Sequence, residues 1–229
     1  MNYCTITPDR GDRPALLENC RRQVEMINII SKCSWYQWPL NFILENNPPV
    51  SKECDIVPRV RHAVARARRE GFTWAFIIEN DDFYPSNYIS NLFKGESFGQ
   101  LPEWENYDFI GYQNTFYYNI KTRRYQRMEH ETHSSLFCTG FRLSALDDFQ
   151  WPPDDNPFLD IALWKHAKQK HRWKLLREEN PCVGIKGHGM GKMGGKGHRL
   201  ELNRADPEMK WFRAKLNDEK AFEFYKSIV

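Results

Sequence analysis

Three carboxylates follow an apolar run without a spacer: Trp74-Ala75-Phe76-Ile77-Ile78 leads straight into Glu79-Asn80-Asp81-Asp82. Burying a carboxylate is costly unless a cation or a donor meets it. Three on one short turn can share a divalent ion, and oxygen ligands suit Mg²⁺ or Mn²⁺, which keep positions open for phosphate oxygens. A solvated acidic turn, or the cap of a helix starting near Pro85, has the same composition. Asp160 is a second candidate. With Pro157 at a first helical position it falls in the first turn, where the helix dipole keeps a base ionised at neutral pH. An acid that only stabilises the dipole has the same spacing. The third stretch, Lys186 to Arg199, mixes glycine with lysine and histidine. Its N–H groups and lysines suit an anion, though it lacks the Gly-Lys-Ser/Thr ending of a P-loop. A flexible basic loop for nucleic acid reads the same. A histidine and cysteine zinc site is disfavoured, because ligand spacings do not repeat.

These residues need elements to hold them. Residues 3–7 alternate as a strand, and Pro14 opens a helix with Leu16, Leu17, Cys20, Val24 and Ile27 at helical spacing. Leu40 to Leu44 is a second strand, ended by a turn through Glu45, Asn46 and Asn47. Asp55 caps a helix that stops at Gly71, and Trp74 to Ile78 is a strand covered on both faces. Strand, helix, strand, helix, strand is an α/β pattern with a parallel sheet. Ligands bind beyond the carboxyl ends of such strands. Three polar segments therefore point at one crevice: Thr7–Arg13, Glu45–Asn47 and Glu79–Asp82. Further strands are expected at 109–112, 115–120, 124–128, 134–138 and 182–185, helices at 157–170 and from Pro207 onward.

The run Ile77-Ile78-Glu79-Asn80-Asp81-Asp82-Phe83-Tyr84-Pro85, with Thr5-Ile6-Thr7-Pro8-Asp9-Arg10 and Arg13-Pro14, resembles GT-A glycosyltransferases, particularly the family-2-like enzymes. There an apolar strand ends in several acids, then an aromatic and a proline. The resemblance covers about residues 3–90 clearly and 130–200 loosely, and departs from the usual pattern with Glu79 where Asp is commoner. It implies an α/β GT-A (Rossmann-like) single domain over residues 1–229, with a mixed, mostly parallel central sheet flanked by helices. Residues 1–100 would be the nucleotide-sugar half, 101–205 the acceptor half with the metal and phosphate loop, and 206–229 a helical tail.

The resemblance also implies roles. Asp81 holds the metal, and His188 is a late third ligand. Thr7, Pro8, Asp9, Arg10 and Arg13 cradle the nucleoside and diphosphate. Glu45 and Asn46 read the base, Arg61 or Arg59 approaches the donor, and Glu79 and Asn80 contact it. Lys192 neutralises the diphosphate. Asp160 is the catalytic base, with Asp155 second, and Thr139 and Gly140 shape the acceptor pocket. The implied activity is a hexosyltransferase-like, inverting transfer from a nucleotide sugar, with UDP the carrier and Mn²⁺ or Mg²⁺ the ion. The acceptor is a hydroxyl on a saccharide, a lipid-linked sugar or a hydroxylated base in DNA.

Composition narrows the rivals. The 229 residues are 41% hydrophobic and 14% aromatic, which argues against disorder throughout. A net charge of +3 does not by itself argue for nucleic acid. Six cysteines without a Cys-x-x-Cys pair fit buried, reduced thiols. The chain shows no signal segment and no apolar run near ~20 residues, so a cytoplasmic protein is expected. A nucleotidyltransferase would carry a glycine-rich basic loop after its first strand, where Gly11 stands alone. A non-enzymatic nucleic-acid-binding module would use the basic 186–199 loop.

Overall fold

The computed structural model describes residues 2–33, 41–46, 54–94, 106–189 and 202–228. Its first part follows the expected order: β1 (Tyr3–Asp9), α1 (Pro14–Cys33), β2 (Asn41–Asn46), α2 (Ile56–Arg69) and β3 (Trp74–Ile77). After the acidic turn come α3 (Tyr88–Lys94), β4 (Phe109–Tyr112), β5 (Asn114–Asn119), β6 (Arg124–Glu129), β7 (Thr139–Arg142) and α4 (Leu159–Lys170). The chain continues through β8 (Trp173–Leu176), β9 (Val183–Lys186), β10 (Arg204–Ala205), α5 (Lys210–Leu216) and α6 (Glu219–Ser227).

Six strands form the central sheet in the order β2-β1-β3-β7-β4-β8. β7 alone runs against its neighbours, so the sheet is mixed and mostly parallel. Both faces are covered, and β3 shows how. Trp74, Phe76 and Ile78 pack with Cys20, Val24 and Ile27 of α1 and Tyr88, Ile89 and Leu92 of α3. Ala75 and Ile77 pack with Val60 and Val64 of α2 and Leu163 and Trp164 of α4. The period of two in a strand sorts these side chains between two cores. A second sheet, β10-β6-β5-β9, is covered by α5 and α6, with Tyr118 stacked on Phe212 at 4.0 Å between ring centroids. Phe83, just after the acidic turn, exchanges two backbone hydrogen bonds with Val183 of β9 (2.9 and 3.1 Å) and so joins the turn to this sheet.

Four local expectations are corrected. Ser134–Cys138 is no strand: Leu136–Cys138 forms a 3-10 turn. The Ser134 hydroxyl accepts from Tyr112 N–H (3.1 Å) and donates to the Cys138 carbonyl (3.2 Å), and such local bonds compete with a ladder. Thr139 and Gly140 belong to buried β7 rather than to a loop. Pro157 stands two residues before α4, where Asn156 accepts from Phe158 N–H at 2.8 Å. Asp55 occupies the cap position of α2, but its carboxylate is drawn to Arg59 at 2.7 Å instead of to the backbone. The edge strand β8 escaped the sequence reading because only Leu176 of its residues is buried, which leaves no apolar pattern to read.

Candidate functional site

The acidic turn is fixed from several sides. Glu79 N–H donates to Tyr84 Oη at 2.8 Å, and the Asp82 carbonyl accepts from Tyr225 of α6 (2.9 Å) and Gln23 of α1 (3.4 Å). Gln23 also accepts from Tyr84 N–H at 2.6 Å. The carboxylates therefore project from a backbone with little freedom. Asp81 Oδ2 meets Arg13 Nη1 at 3.1 Å and His188 Nε2 at 3.2 Å. Asp82 Oδ1 accepts from Ile185 N–H of β9 at 2.8 Å and lies 3.6 Å from Lys186 Nζ. Burial works against the Lys186 charge, but Asp82, Asp81 and Glu79 outweigh it and raise its pKa.

One oxygen shows what is missing from this balance. Asp82 Oδ2 is buried without a hydrogen-bond donor, and the Glu79 carboxyl stands against Asp82. Loss of water, then the charges of Asp82 and Asp81, push Glu79 well above the usual carboxylate range. Burial pushes Asp82 up to about 7 even with Lys186 beside it. Two facing carboxylates need a shared proton or a shared cation. Ligand atoms of Glu79, Asp81 and Asp82 all lie within 4.8 Å of one another, and His188 touches Asp81. These residues fit a divalent ion, with the imidazole more acceptable to Mn²⁺ than to Mg²⁺.

The turn after β1 faces the acidic turn because β1 and β3 are parallel, with Ile6 beside Ile77. Asp9 Oδ1 accepts from Asn80 Nδ2 at 2.5 Å, and Asp9 Oδ2 accepts from Gly11 N–H at 3.0 Å. The Asp9 carbonyl accepts from buried Arg59 at 2.6 Å. Asp9 and Asn80 thus brace the two strand ends against each other.

Asp160 stands in the first turn of α4. Its Oδ1 accepts from Ile161 N–H at 2.9 Å. Burial raises its pKa, while the Ile161 N–H and His133 act to lower it. Asp160 is close enough to Glu79 to add to the upward shift there. Lys186 links the acidic turn to further polar groups: its ammonium sits 5.4 Å over the Tyr117 ring, and Ser135 Oγ lies 3.0 Å from Tyr117 Oη and 3.3 Å from His130 Nε2.

No family model matches the chain, and no curated protein matches it. Solved structures do. S. aureus TarS 1–349 in complex with UDP-GlcNAc superposes with a TM-score of 0.51 at 13% identity, over 81% of this chain and 58% of that one. The fold is GT-A. At this identity the likeness is one of fold alone, and the chain spans 58% of that TarS fragment's length. TarS 1–349 in complex with UDP scores 0.47 at 12% identity, over 81% of this chain and 60% of that one. A nucleoside-diphosphate-sugar pyrophosphorylase from Vibrio cholerae scores 0.38 at 11% identity, over 78% and 93%. Neither of these two is close enough to carry an argument.

Within the GT-A frame, Asp81, His188 and Arg13 come together as their sequence positions suggested, and Glu79, Asn80 and Asp9 join them. Thr7 and Pro8 are buried in β1, and Arg10 lies 3.9 Å from Asp12. Arg61 pairs instead with Asp154 at 3.1 Å on a half-exposed surface, and Arg59 is the arginine that reaches β1. The acceptor role expected of Thr139 and Gly140 is corrected. Thr139 Oγ1 accepts from Trp164 Nε1 (3.0 Å) and donates to the Ser135 carbonyl (2.9 Å), while a Cβ on Gly140 would stand 2.4 Å from the Phe76 ring. Both are interior packing. The side chains of Glu45 and Asn46, and all of Lys192, lie outside the described residues. Sequence reading gave Lys186 only as the start of a loop, and passed over His133, Tyr117 and Ser135. A lysine closing an apolar strand, and two histidines three apart in His130-Glu131-Thr132-His133, were the available signals.

Proposed function

We propose that the protein is a metal-dependent, inverting glycosyltransferase that moves a sugar from a nucleotide sugar, UDP-linked, to an acceptor hydroxyl. The observation that carries this reading is the meeting of Glu79, Asp81 and Asp82 with Arg13, His188 and Lys186 at the carboxyl ends of parallel strands. The fold neighbour TarS 1–349 with UDP-GlcNAc makes UDP-GlcNAc the first donor to try.

A Mn²⁺ or Mg²⁺ held by Asp81, Glu79 and His188 would supply Lewis-acid charge to the diphosphate. Arg13 is placed to add a two-pronged contact to phosphate oxygens. Asp160 takes the proton of the acceptor hydroxyl as its oxygen bonds the anomeric carbon. The bond from that carbon to the diphosphate oxygen breaks, and the electron pair leaves with the nucleoside diphosphate. One displacement needs one base, and the closeness of Asp160 to Glu79 at the start of α4 supports assigning it that role. The acceptor is a saccharide, a lipid-linked sugar or a hydroxylated base in DNA, and the compartment is the cytoplasm. Among the described residues no helix is long and apolar enough to cross a membrane.

The test incubates the full chain with a panel of nucleotide sugars and Mn²⁺ and measures released nucleoside diphosphate. Release from a UDP-sugar, abolished by chelation, is the expected result. No release from any donor would overturn the reading in favour of a binding module.

A further inference from the structure

Helix α4 carries Asp160 at its start, and a second set of metal-binding side chains gathers toward its other end, with His166 roughly 9 Å and His171 roughly 16 Å along the axis from Asp160. Asp148, His166 and His171 bring ligand atoms within 4.8 Å of one another. His166 Nε2 lies 3.1 Å from His171 Nε2 and 3.5 Å from Asp148 Oδ1. Ligand atoms around a tetrahedral Zn²⁺ with bonds of 2.0–2.1 Å stand roughly 3.3 Å apart. Two edges of such a tetrahedron are therefore already in place. The Ala145 carbonyl oxygen lies 2.8 Å from the same nitrogen, His166 Nε2.

We infer that Asp148, His166 and His171 form a structural site for a late first-row divalent ion, Zn²⁺ above all. The inference is independent of the proposed catalysis. Proton accounting supports it. Ala145 O only accepts, so in the ion-free state His166 Nε2 carries the hydrogen. His171 Nε2 then turns a bare lone pair toward the same point. Replacing that one hydrogen with a cation engages both imidazoles at once. Asp108 Oδ2, which accepts from Arg172 N–H, adds a negative charge 4.0 Å from His171 Nδ1. Phe109 and Phe149 wall the rings, at 5.8 Å from His171 and 5.2 Å from His166 between centroids. Lys170 holds Asp148 through Oδ2, which leaves Oδ1 toward His166. The end of a helix also favours positive charge. Two nitrogens and a carboxylate select Zn²⁺ over Mg²⁺.

Filling the site would tie the end of α4 to the turn at Leu143–Leu146 and to the start of β8, and so fix the helix that presents Asp160.

The test uses the full chain stripped of metal, with Zn²⁺ and Mg²⁺ as probes and Co²⁺ as a spectroscopic stand-in. Zn²⁺ at 100 times its dissociation constant shifts the unfolding equilibrium about 100-fold and raises Tm by about 5–10 °C. In the Asp81→Asn chain, where the acidic turn has lost its anchoring carboxylate, Mg²⁺ gives no shift, and Co²⁺ gives visible absorption bands. His171→Gln, at a half-buried position, removes the Co²⁺ bands and the Zn²⁺ shift, while Asp148→Asn weakens binding tenfold or more. Asp81→Asn keeps both signals, which separates this site from the acidic turn. Failure of the wild-type chain to bind Zn²⁺, or full retention of the signals in His171→Gln, would overturn the inference.

Discussion

The acidic turn and the start of α4 both carry carboxylates that feel one another, yet they are held in opposite ways. Around Glu79–Asp82 the backbone is tied by Tyr84, Gln23, Tyr225 and Val183, and the side chains are met by Arg13, His188 and Lys186. Asp160 is held by the N–H of its neighbour Ile161 and flanked by Phe158 and Ile161, which expose 45% and 49% of their surface. Under the function proposed above, the contrast would match two chemical demands. A diphosphate with its ion has the same shape in every turnover, so that side gains from fixed charges. An acceptor must enter, present one hydroxyl and leave, so that side needs one positioned base and an open rim.

Mutations can break this contrast. Asp81→Asn removes the residue on which Arg13 and His188 converge, so donor turnover should fall on the order of 10³-fold or more, measured as diphosphate release. A variant with wild-type turnover would sink the metal assignment. Lys186→Met leaves Asp82 without its buried cation and should lower stability by about 3–5 kcal/mol in urea titration. A loss below about 1 kcal/mol, the range of surface pairs, would mean the turn is less constrained than described. Asp160→Asn should reduce transfer about 10²-fold or more while UDP binding, followed by calorimetry, stays at the wild-type level. Equal damage to UDP binding would erase the division between the two sides.

Smaller effects sharpen it. Gly140→Ala drives a methyl group into the Phe76 ring and should cost about 1–3 kcal/mol of stability without changing acceptor KM. A changed KM at full stability would restore the acceptor role that the packing denies it. The pH profile supplies the finest test. Burial raises Asp160 above the ordinary aspartate value of 3.8. A base must be deprotonated, so kcat/KM should fall as pH drops through that raised pKa, and the acid limb should lie above 3.8. His133 helps to lower the Asp160 pKa, so His133→Gln should move the limb to higher pH. An unmoved limb would exclude Asp160 as the group being titrated.

What the sequence made legible follows from the range of its signals. The first three strands and two helices were readable because apolar period and punctuation by Pro14, Pro48 and Gly71 are local properties. Gly71 takes φ of 80°, as a helix stop requires. The convergence of Arg13 on Asp81 was readable as well, since parallel strands put their ends together. Lys186 as partner of Asp82 was hidden: 104 positions separate them, and only the pairing of β9 with β5 and the bridge to Phe83 brings them together. Thr139 and Gly140 misled for a related reason. Gly next to a polar residue reads as a loop, while here glycine makes room for Phe76 between two sheet neighbours. Gly187 has the opposite role: with φ of 76° beside Asn119, it turns the chain so that His188 can face Asp81.

The central claim is that Asp81 anchors an ion for a nucleoside diphosphate. Calorimetric titration of UDP into the protein with and without Mn²⁺, for wild type and Asp81→Asn, tests it most directly. The account predicts that Mn²⁺ tightens UDP binding tenfold or more in the wild type and leaves the variant unchanged. Equal UDP affinity with and without Mn²⁺ in the wild type, or an undiminished Mn²⁺ effect in Asp81→Asn, would contradict it.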